Sequence, residues 1–101
     1  MPELKKYKMF INGEWVNSDT EKIFETLNPE NNKPWAVVPE ASASDVDRAV
    51  KAAQNAFEGE WPKLLPKERA RYLRMIGDKL RENAEHLGKI ETIDTGKLYR
   101  E

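Results

Sequence analysis

Few side chains in this chain are of the types that carry out covalent chemistry. There is no cysteine, so the chain offers no thiolate nucleophile, no disulfide and no thiolate metal site. The one histidine, His86, lies near Glu82 and Glu85, but no H-E-x-x-H pair surrounds it, which favours a solvated surface residue over a ligand or base. The three serines are Ser18, Ser42 and Ser44. Each has an ordinary explanation as a turn or helix-cap residue, so we predict no catalytic residue within the chain.

A phosphate-binding loop cannot be drawn either. The glycines stand at positions 13, 59, 77, 88 and 96, which excludes G-x-G-x-x-G. Gly96-Lys97 resembles the end of a phosphate loop, but that motif needs a glycine where Glu91 stands and Ser or Thr where Leu98 stands. We therefore predict no cofactor-binding residue.

Composition narrows the class of protein further. The chain has 101 residues, enough for one domain at most, and its net charge is −1 from 17 basic and 18 acidic residues. A nucleic-acid binder normally has a basic excess, and the basic residues between positions 67 and 81 alternate with acidic ones as on a solvated helix face. No apolar run is long enough to span a membrane, and none of signal-peptide length follows the charged residues 3–8. We expect a cytoplasmic protein that binds neither nucleic acid nor membrane.

The elements that must position any site divide into strands and then helices. Residues 9–11 and 15–16 flank Asn12-Gly13, the pair that two-residue type I′ hairpins favour. Residues 23–27 and 35–38 are the next apolar runs, and Pro39 ends the second because proline cannot donate to a ladder. The pattern predicts a short β-meander over residues 8–39.

Helical spacing follows over residues 43–95. Ser44 with Asp47 resembles a capping box, and Ser42 with Asp45 is the rival pair. A narrow apolar stripe then predicts a helix near 43–58; its members are Val46, Ala49, Val50, Ala53 and Phe57. Proline favours the first helical position, so a second helical segment begins at Pro66, with an apolar face formed by Leu73, Ile76, Leu80, Ala84 and Leu87.

Two residues mark boundaries in that second segment. Asn83 is placed to cap a fresh helix from Ala84, so residues 66–95 form either one rod or two helices with a bend. Gly96 suits the left-handed position after a helix end. The predicted fold class is an α+β fragment: a β-meander followed by two or three helices.

Six runs follow one another along the chain: FINGEW (10–15), TLNP (26–29), VPEASASDVDRAV (38–50), AAQNAF (52–57), PKERA (66–70) and ETIDTGK (91–97). Their order and spacing resemble the N-terminus of the NAD(P)-dependent aldehyde dehydrogenase superfamily. The resemblance spans about residues 7–97. It implies that residues 1–101 are the N-terminal, incomplete part of a Rossmann-like cofactor-binding domain in a larger α/β enzyme.

The resemblance also implies what the larger enzyme does. A cysteine thiolate attacks the aldehyde, hydride passes to NAD or NADP, and a glutamate-activated water releases the carboxylic acid. None of those residues matches a position here, and Asn28 corresponds to the family's Asn-Pro turn rather than to its oxyanion asparagine. We therefore expect the chain alone to be inactive and to bind no cofactor, while its parent is a homo-oligomer that acts on an aldehyde.

One site is carried over from the family. Many members hold a monovalent cation with oxygens from the strand before the Asn-Pro turn and from the aspartate of the E-x-x-D-x-G-K run. The matching positions are Thr26, with Leu27 as its neighbour, and Asp94; carbonyl and carboxylate oxygens suit a hard cation. The alternative is that Thr26 is an ordinary strand residue and that Asp94 only finishes a helix.

Two other interpretations of the whole chain stand beside the enzyme fragment. The chain is a genuine short, non-catalytic protein that binds a partner through its exposed helical face, or it is a stand-alone structural module. No residue pattern positively supports the stand-alone module.

Overall fold

The computed structural model describes residues 4–99, so both ends of the predicted 1–101 unit, residues 1–3 and 100–101, lie outside the described residues. The described part forms five strands, then three α-helices and one 3₁₀ turn. The strands are β1 (Lys5–Lys6), β2 (Met9–Ile11), β3 (Glu14–Val16), β4 (Ile23–Asn28) and β5 (Lys33–Pro39). The helices are α1 (Ala43–Glu58), α2 (Pro66–Glu82) and α3 (Ala84–Thr95), and the 3₁₀ turn spans Trp61–Lys63. The α+β class and the order of strands before helices are confirmed.

The strands make two sheets where a single meander over 8–39 was expected. β2 and β3 form a hairpin by themselves, with Phe10 opposite Trp15. β4 and β5 pair antiparallel, with Thr26 opposite Ala36, and β1 lies parallel to β5 on its other side. Parallel pairing joins distant segments, and β1 is two lysines with no apolar alternation, so local patterns could not reveal it.

The hairpin turn follows the sequence prediction closely. Asn12 has φ 53° and Gly13 has φ 78°, the positive pair that a type I′ turn requires. The hairpin therefore ends where Asn12-Gly13 predicts it.

The helix boundaries also follow from particular residues. Of the two rival capping boxes, Ser42 with Asp45 is the one that forms: the Asp45 N–H donates to Ser42 Oγ over 3.1 Å, and the Ser42 N–H donates to Asp45 Oδ2 over 2.9 Å. The segment 66–95 is two helices separated at Asn83. The Asn83 side chain does not cap α3; its amide donates to the Lys79 carbonyl and closes α2.

The hydrophobic core is small. Among residues 4–99, the buried hydrophobic residues are Ala36 and Val37, both on β5, the middle strand of its sheet. Both apolar helix stripes face solvent; Val50, Phe57, Leu73 and Leu80 are each more than half exposed. Among the described residues, no helix is both long and apolar enough to cross a membrane.

Candidate functional site

Thr26 and Asp94, the two residues predicted to hold a cation, are brought into contact although 68 positions separate them. The Thr26 hydroxyl on β4 donates to Asp94 Oδ1 over 2.5 Å. Asp94 lies in the last turn of α3, which packs on β4. Leu27 follows Thr26 at an irregularity in the β4–β5 register and is 45% exposed.

A third residue, Trp35, joins this pair. Its indole N–H donates to the same oxygen, Asp94 Oδ1, over 3.2 Å. Within residues 4–99, the other oxygen, Oδ2, accepts no hydrogen bond from the protein. Sequence reasoning missed Trp35, because a tryptophan in a strand is an ordinary β residue and nothing local relates it to a carboxylate 59 positions away.

The end of α3 explains how Asp94 is held in place. Gly96 has φ 77°, and its N–H donates to the Thr92 carbonyl over 2.9 Å, which closes the helix in a left-handed cap as predicted. A Cβ built on Gly96 would lie 3.2 Å from Pro29 Cγ. The Asn-Pro turn and the D-T-G-K run, distant in sequence, therefore meet in space.

Asp45 forms a second polar cluster, where it is 1% exposed. It accepts from the Ser18 hydroxyl over 2.6 Å, from the Asp19 N–H over 3.2 Å and from the Ser42 N–H over 2.9 Å, and it pairs with Arg48. The Ser18 hydroxyl, followed by the Ser42 backbone, holds the pKa of Asp45 well below its usual range. These hydrogen bonds link the β3–β4 connection, which contains Ser18 and Asp19, to the start of α1. Because the oxygens of Asp45 are already hydrogen-bonded, we infer that its role is structural.

The remaining sequence candidates are separated. His86 is exposed on α3, and its neighbours Glu82 and Glu85 pair with Lys79 and Lys89. Within the described part of the chain, no three His, Cys, Asp or Glu residues cluster closely enough to hold a metal ion. Any ion at Asp94 would therefore depend on this single carboxylate.

Residues 4–99 thus form an α+β segment in which the apolar faces of α1 and α2 are exposed and two motifs distant in sequence meet at Asp94. Comparison of this sequence with known protein families shows to which family the chain belongs. The sequence model described as the aldehyde dehydrogenase family matches residues 15–101. This chain belongs to the aldehyde dehydrogenase family.

Individual relatives agree. Aldehyde dehydrogenase family 2 member C4 of Arabidopsis thaliana is 41% identical over 101 residues, which is 99% of this chain and 20% of that protein. An aldehyde dehydrogenase of Aspergillus niger is 47% identical over 88% of this chain and 18% of its own length. The NAD+ complex of aldehyde dehydrogenase from Bacillus cereus has a TM-score of 0.91 and 44% identity, covering 95% of this chain and 20% of that one. The chain thus spans about a fifth of the length of the relatives it matches.

Proposed function

We propose that this chain is the leading part of an NAD(P)-dependent aldehyde dehydrogenase, which oxidises an aldehyde to a carboxylic acid. The observation that carries the proposal is the family match over residues 15–101, joined to a TM-score of 0.91 against an NAD+-bound family member. Because the chain spans about a fifth of its relatives, the activity belongs to the longer protein. The alternative, a short non-catalytic binding protein, is not favoured by so complete a family match.

The intact mass of the natural gene product in its source cells tests this proposal. We expect a mass several times 11.7 kDa and aldehyde-dependent reduction of NAD+ or NADP+ by that product. A gene product with a mass of 11.7 kDa would contradict the proposal and would favour the alternative, a short non-catalytic binding protein.

The residues described here do not fit a dinucleotide. A pyrophosphate binds the free N–H groups of a helix that follows a strand and a glycine-rich loop. The junction of β5 with α1 has no glycine, and the buried carboxylate of Asp45 already accepts from the Ser42 N–H there. A second negative group at that point would be repelled, so we assign cofactor binding to sequence outside this chain.

The chain alone should have no dehydrogenase activity. In the family resemblance the nucleophile is a cysteine thiolate, and this sequence has no cysteine. When the purified chain is mixed with an aldehyde and NAD+, we expect no absorbance of the reduced cofactor above a blank. Aldehyde-dependent reduction by the 101-residue chain would overturn this assignment.

Within the longer protein we assign residues 1–101 to the start of the cofactor-binding domain. The exposed stripes of α1 and α2, which include Val50 and Leu73, would pack on a parallel sheet supplied by further sequence. We assign the parent protein to the cytoplasm as a homo-oligomer.

The pair Thr26–Asp94 is proposed to take a monovalent cation, supported by the 2.5 Å contact between their oxygens. Denaturation midpoints should then differ among sodium, potassium and choline chlorides at one ionic strength. The differences should disappear in Asp94→Asn, which keeps an acceptor oxygen but loses the charge. Equal midpoints in all three salts would count against a site here.

A further inference from the structure

Trp35 lies at a break in the pairing between β4 and β5. Thr26 is opposite Ala36, but Leu27, the next residue of β4, is opposite Pro34. Trp35 is therefore an extra residue on β5 with no partner on β4, as in a β-bulge. Bulges change the direction in which a side chain points and are frequent beside functional sites.

From this position the Trp35 side chain reaches α3. Its indole N–H donates to Asp94 Oδ1 over 3.2 Å. On the strand side, its ring meets that of Tyr7 at 73°, with centroids 6.1 Å apart, and the Tyr7 N–H donates to the Val37 carbonyl over 3.1 Å. The indole is thus supported by the sheet while its N–H holds a residue of the helix.

Two donors act on one oxygen of Asp94. The Thr26 hydroxyl and the Trp35 indole both donate to Oδ1, whereas Oδ2 accepts no hydrogen bond from residues 4–99. Asp94 is exposed, and without these bonds its side chain would be free to change rotamer. The two donors restrict that freedom, so Oδ2 keeps one direction and is left for an ion.

The chemistry of the oxygens here fits the monovalent cation proposed above. Pro34 has no N–H, so the ladder lacks one donor opposite Leu27, in the part of β4 from which the second oxygen ligand is expected. Carboxylate and carbonyl oxygens suit a hard cation. Because an ion at this place would depend on the single carboxylate of Asp94, the orientation of that carboxylate controls its binding.

We propose that Trp35 is a positioning residue of this cation site, which holds Asp94 by Oδ1 and thereby directs Oδ2 at the ion. This role rests on the cation site proposed above and adds to it a residue that acts through Asp94 without contacting the ion. Partners that orient a metal ligand typically change metal affinity by about ten- to a hundredfold. Asp94 is exposed, so we expect the lower figure, a loss of about tenfold in cation affinity without the indole N–H.

Thermal midpoints of the natural gene product test the proposal. They are measured while potassium chloride replaces choline chloride at constant ionic strength, and again with sodium chloride. An ion that binds the folded protein raises the midpoint as its concentration rises, so the half-saturating concentration reports the affinity. Trp35→Phe keeps an aromatic ring and removes the N–H, and it should raise the half-saturating concentration about tenfold.

The matched control is Trp15→Phe, which makes the same chemical change in the other sheet, where Trp15 pairs with Phe10. It should leave the half-saturating concentration unchanged. Asp94→Asn should remove the response to potassium and sodium. Trp35→Leu, which also lacks the N–H, keeps the test valid if Trp35→Phe does not fold.

The possible results separate the role of Trp35 from the cation site on which it rests. A midpoint that Trp35→Phe lowers equally in all three salts, with an unchanged half-saturating concentration, would keep the cation site and overturn the positioning role. Equal midpoints of the unsubstituted protein in all three salts would overturn both. A response to potassium or sodium that persists in Asp94→Asn would place the ion elsewhere and would also overturn both.

Discussion

At the scale of single residues, the buried carboxylate of Asp45 links the β3–β4 connection to the start of α1. Its pKa is held well below the ordinary value of about 3.9, because the Ser18 hydroxyl and the Ser42 backbone N–H bond to the charged form. A lowered native pKa contributes stability that is present above the unfolded pKa and is lost as the pH falls towards the native pKa. This one carboxylate therefore makes the chain sensitive to acid.

Asp45→Asn should lower the stability of the chain near neutral pH. The deficit against the unsubstituted chain should be full above about pH 4 and should shrink below it, because the native carboxylate then loses its advantage. Urea midpoints of both proteins at pH 7, 5, 4 and 3 measure this. Asp47→Asn is the control, since Asp47 is exposed and, among residues 4–99, pairs only with Lys51; a parallel pH dependence in wild type and Asp45→Asn would contradict the prediction.

Ser18→Ala tests the largest single contribution to that carboxylate. Ser18 is 3% exposed, and its hydroxyl lies 2.6 Å from Asp45 Oδ2. Removing a buried donor from a charged acceptor costs about 1–3 kcal/mol, and the pKa of Asp45 should rise towards its ordinary value. Urea unfolding at pH 7 gives the energy, and carboxyl NMR titration gives the pKa; an unchanged pKa would show that Ser18 is not its main cause.

At the scale of elements, two glycines give opposite expectations for the same substitution. Gly96→Ala should destabilise by about 1–2 kcal/mol, because a residue with a Cβ is strained in the left-handed region and φ is 77° there. The new Cβ would also lie 3.2 Å from Pro29. Gly77→Ala should stabilise by about 0.5–1 kcal/mol, since Gly77 is inside α2 with nothing within 4 Å of the added Cβ.

Thermal melts of both variants beside the parent chain check this pair. The midpoint should fall for Gly96→Ala and rise for Gly77→Ala. A midpoint that did not fall for Gly96→Ala would contradict the argued role of the left-handed cap of α3, and one that fell for Gly77→Ala would contradict the expectation for the helix interior.

The elements also show what a sequence can predict and where it stops. The sequence alone predicts three boundaries: the Asn12-Gly13 turn, the start of α2 at Pro66 and the end of α3 before Gly96. Each of them depends on the φ angle or the N–H group of the residues at the boundary itself. Two serine–aspartate pairs were equally spaced for a capping box, and only the contact of Asp45 with distant Ser18 shows why the first pair forms. Likewise, the β1–β5 pairing and the Trp35–Asp94 bond join segments far apart in sequence. Thr26 and Asp94 are predicted as cation ligands only through the family resemblance, and that role stays a prediction.

At the scale of the whole molecule, the chain exposes too much surface for its size. Its accessible area is 8670 Å², whereas a compact protein of this mass exposes about 5,900 Å². Its radius of gyration is 17.1 Å, against about 13 Å for a compact domain. The excess of about 2,800 Å² lies on one partner only; counted on both sides it would reach the upper end of permanent protein interfaces, which bury roughly 2,000–5,000 Å² or more in total. A segment of this shape leaves apolar surface uncovered, and the relatives that it matches are about five times longer.

The uncovered apolar surface leads to a last prediction for the isolated chain. We expect a low, broad unfolding transition and concentration-dependent self-association, because the apolar face of α2 has no partner among the described residues. Leu73 and Leu80 are 63% and 56% exposed, so Leu73→Ser with Leu80→Ser should reduce self-association while changing stability by less than about 0.5 kcal/mol. Size-exclusion chromatography with light scattering over a range of concentrations measures the association.

The control is Arg71→Ser with Lys79→Ser, at exposed charged positions of the same helix, which should leave the self-association unchanged. A monomer at all concentrations with a sharp, high-temperature transition would mean that the chain is a self-sufficient domain whose apolar faces need no cover.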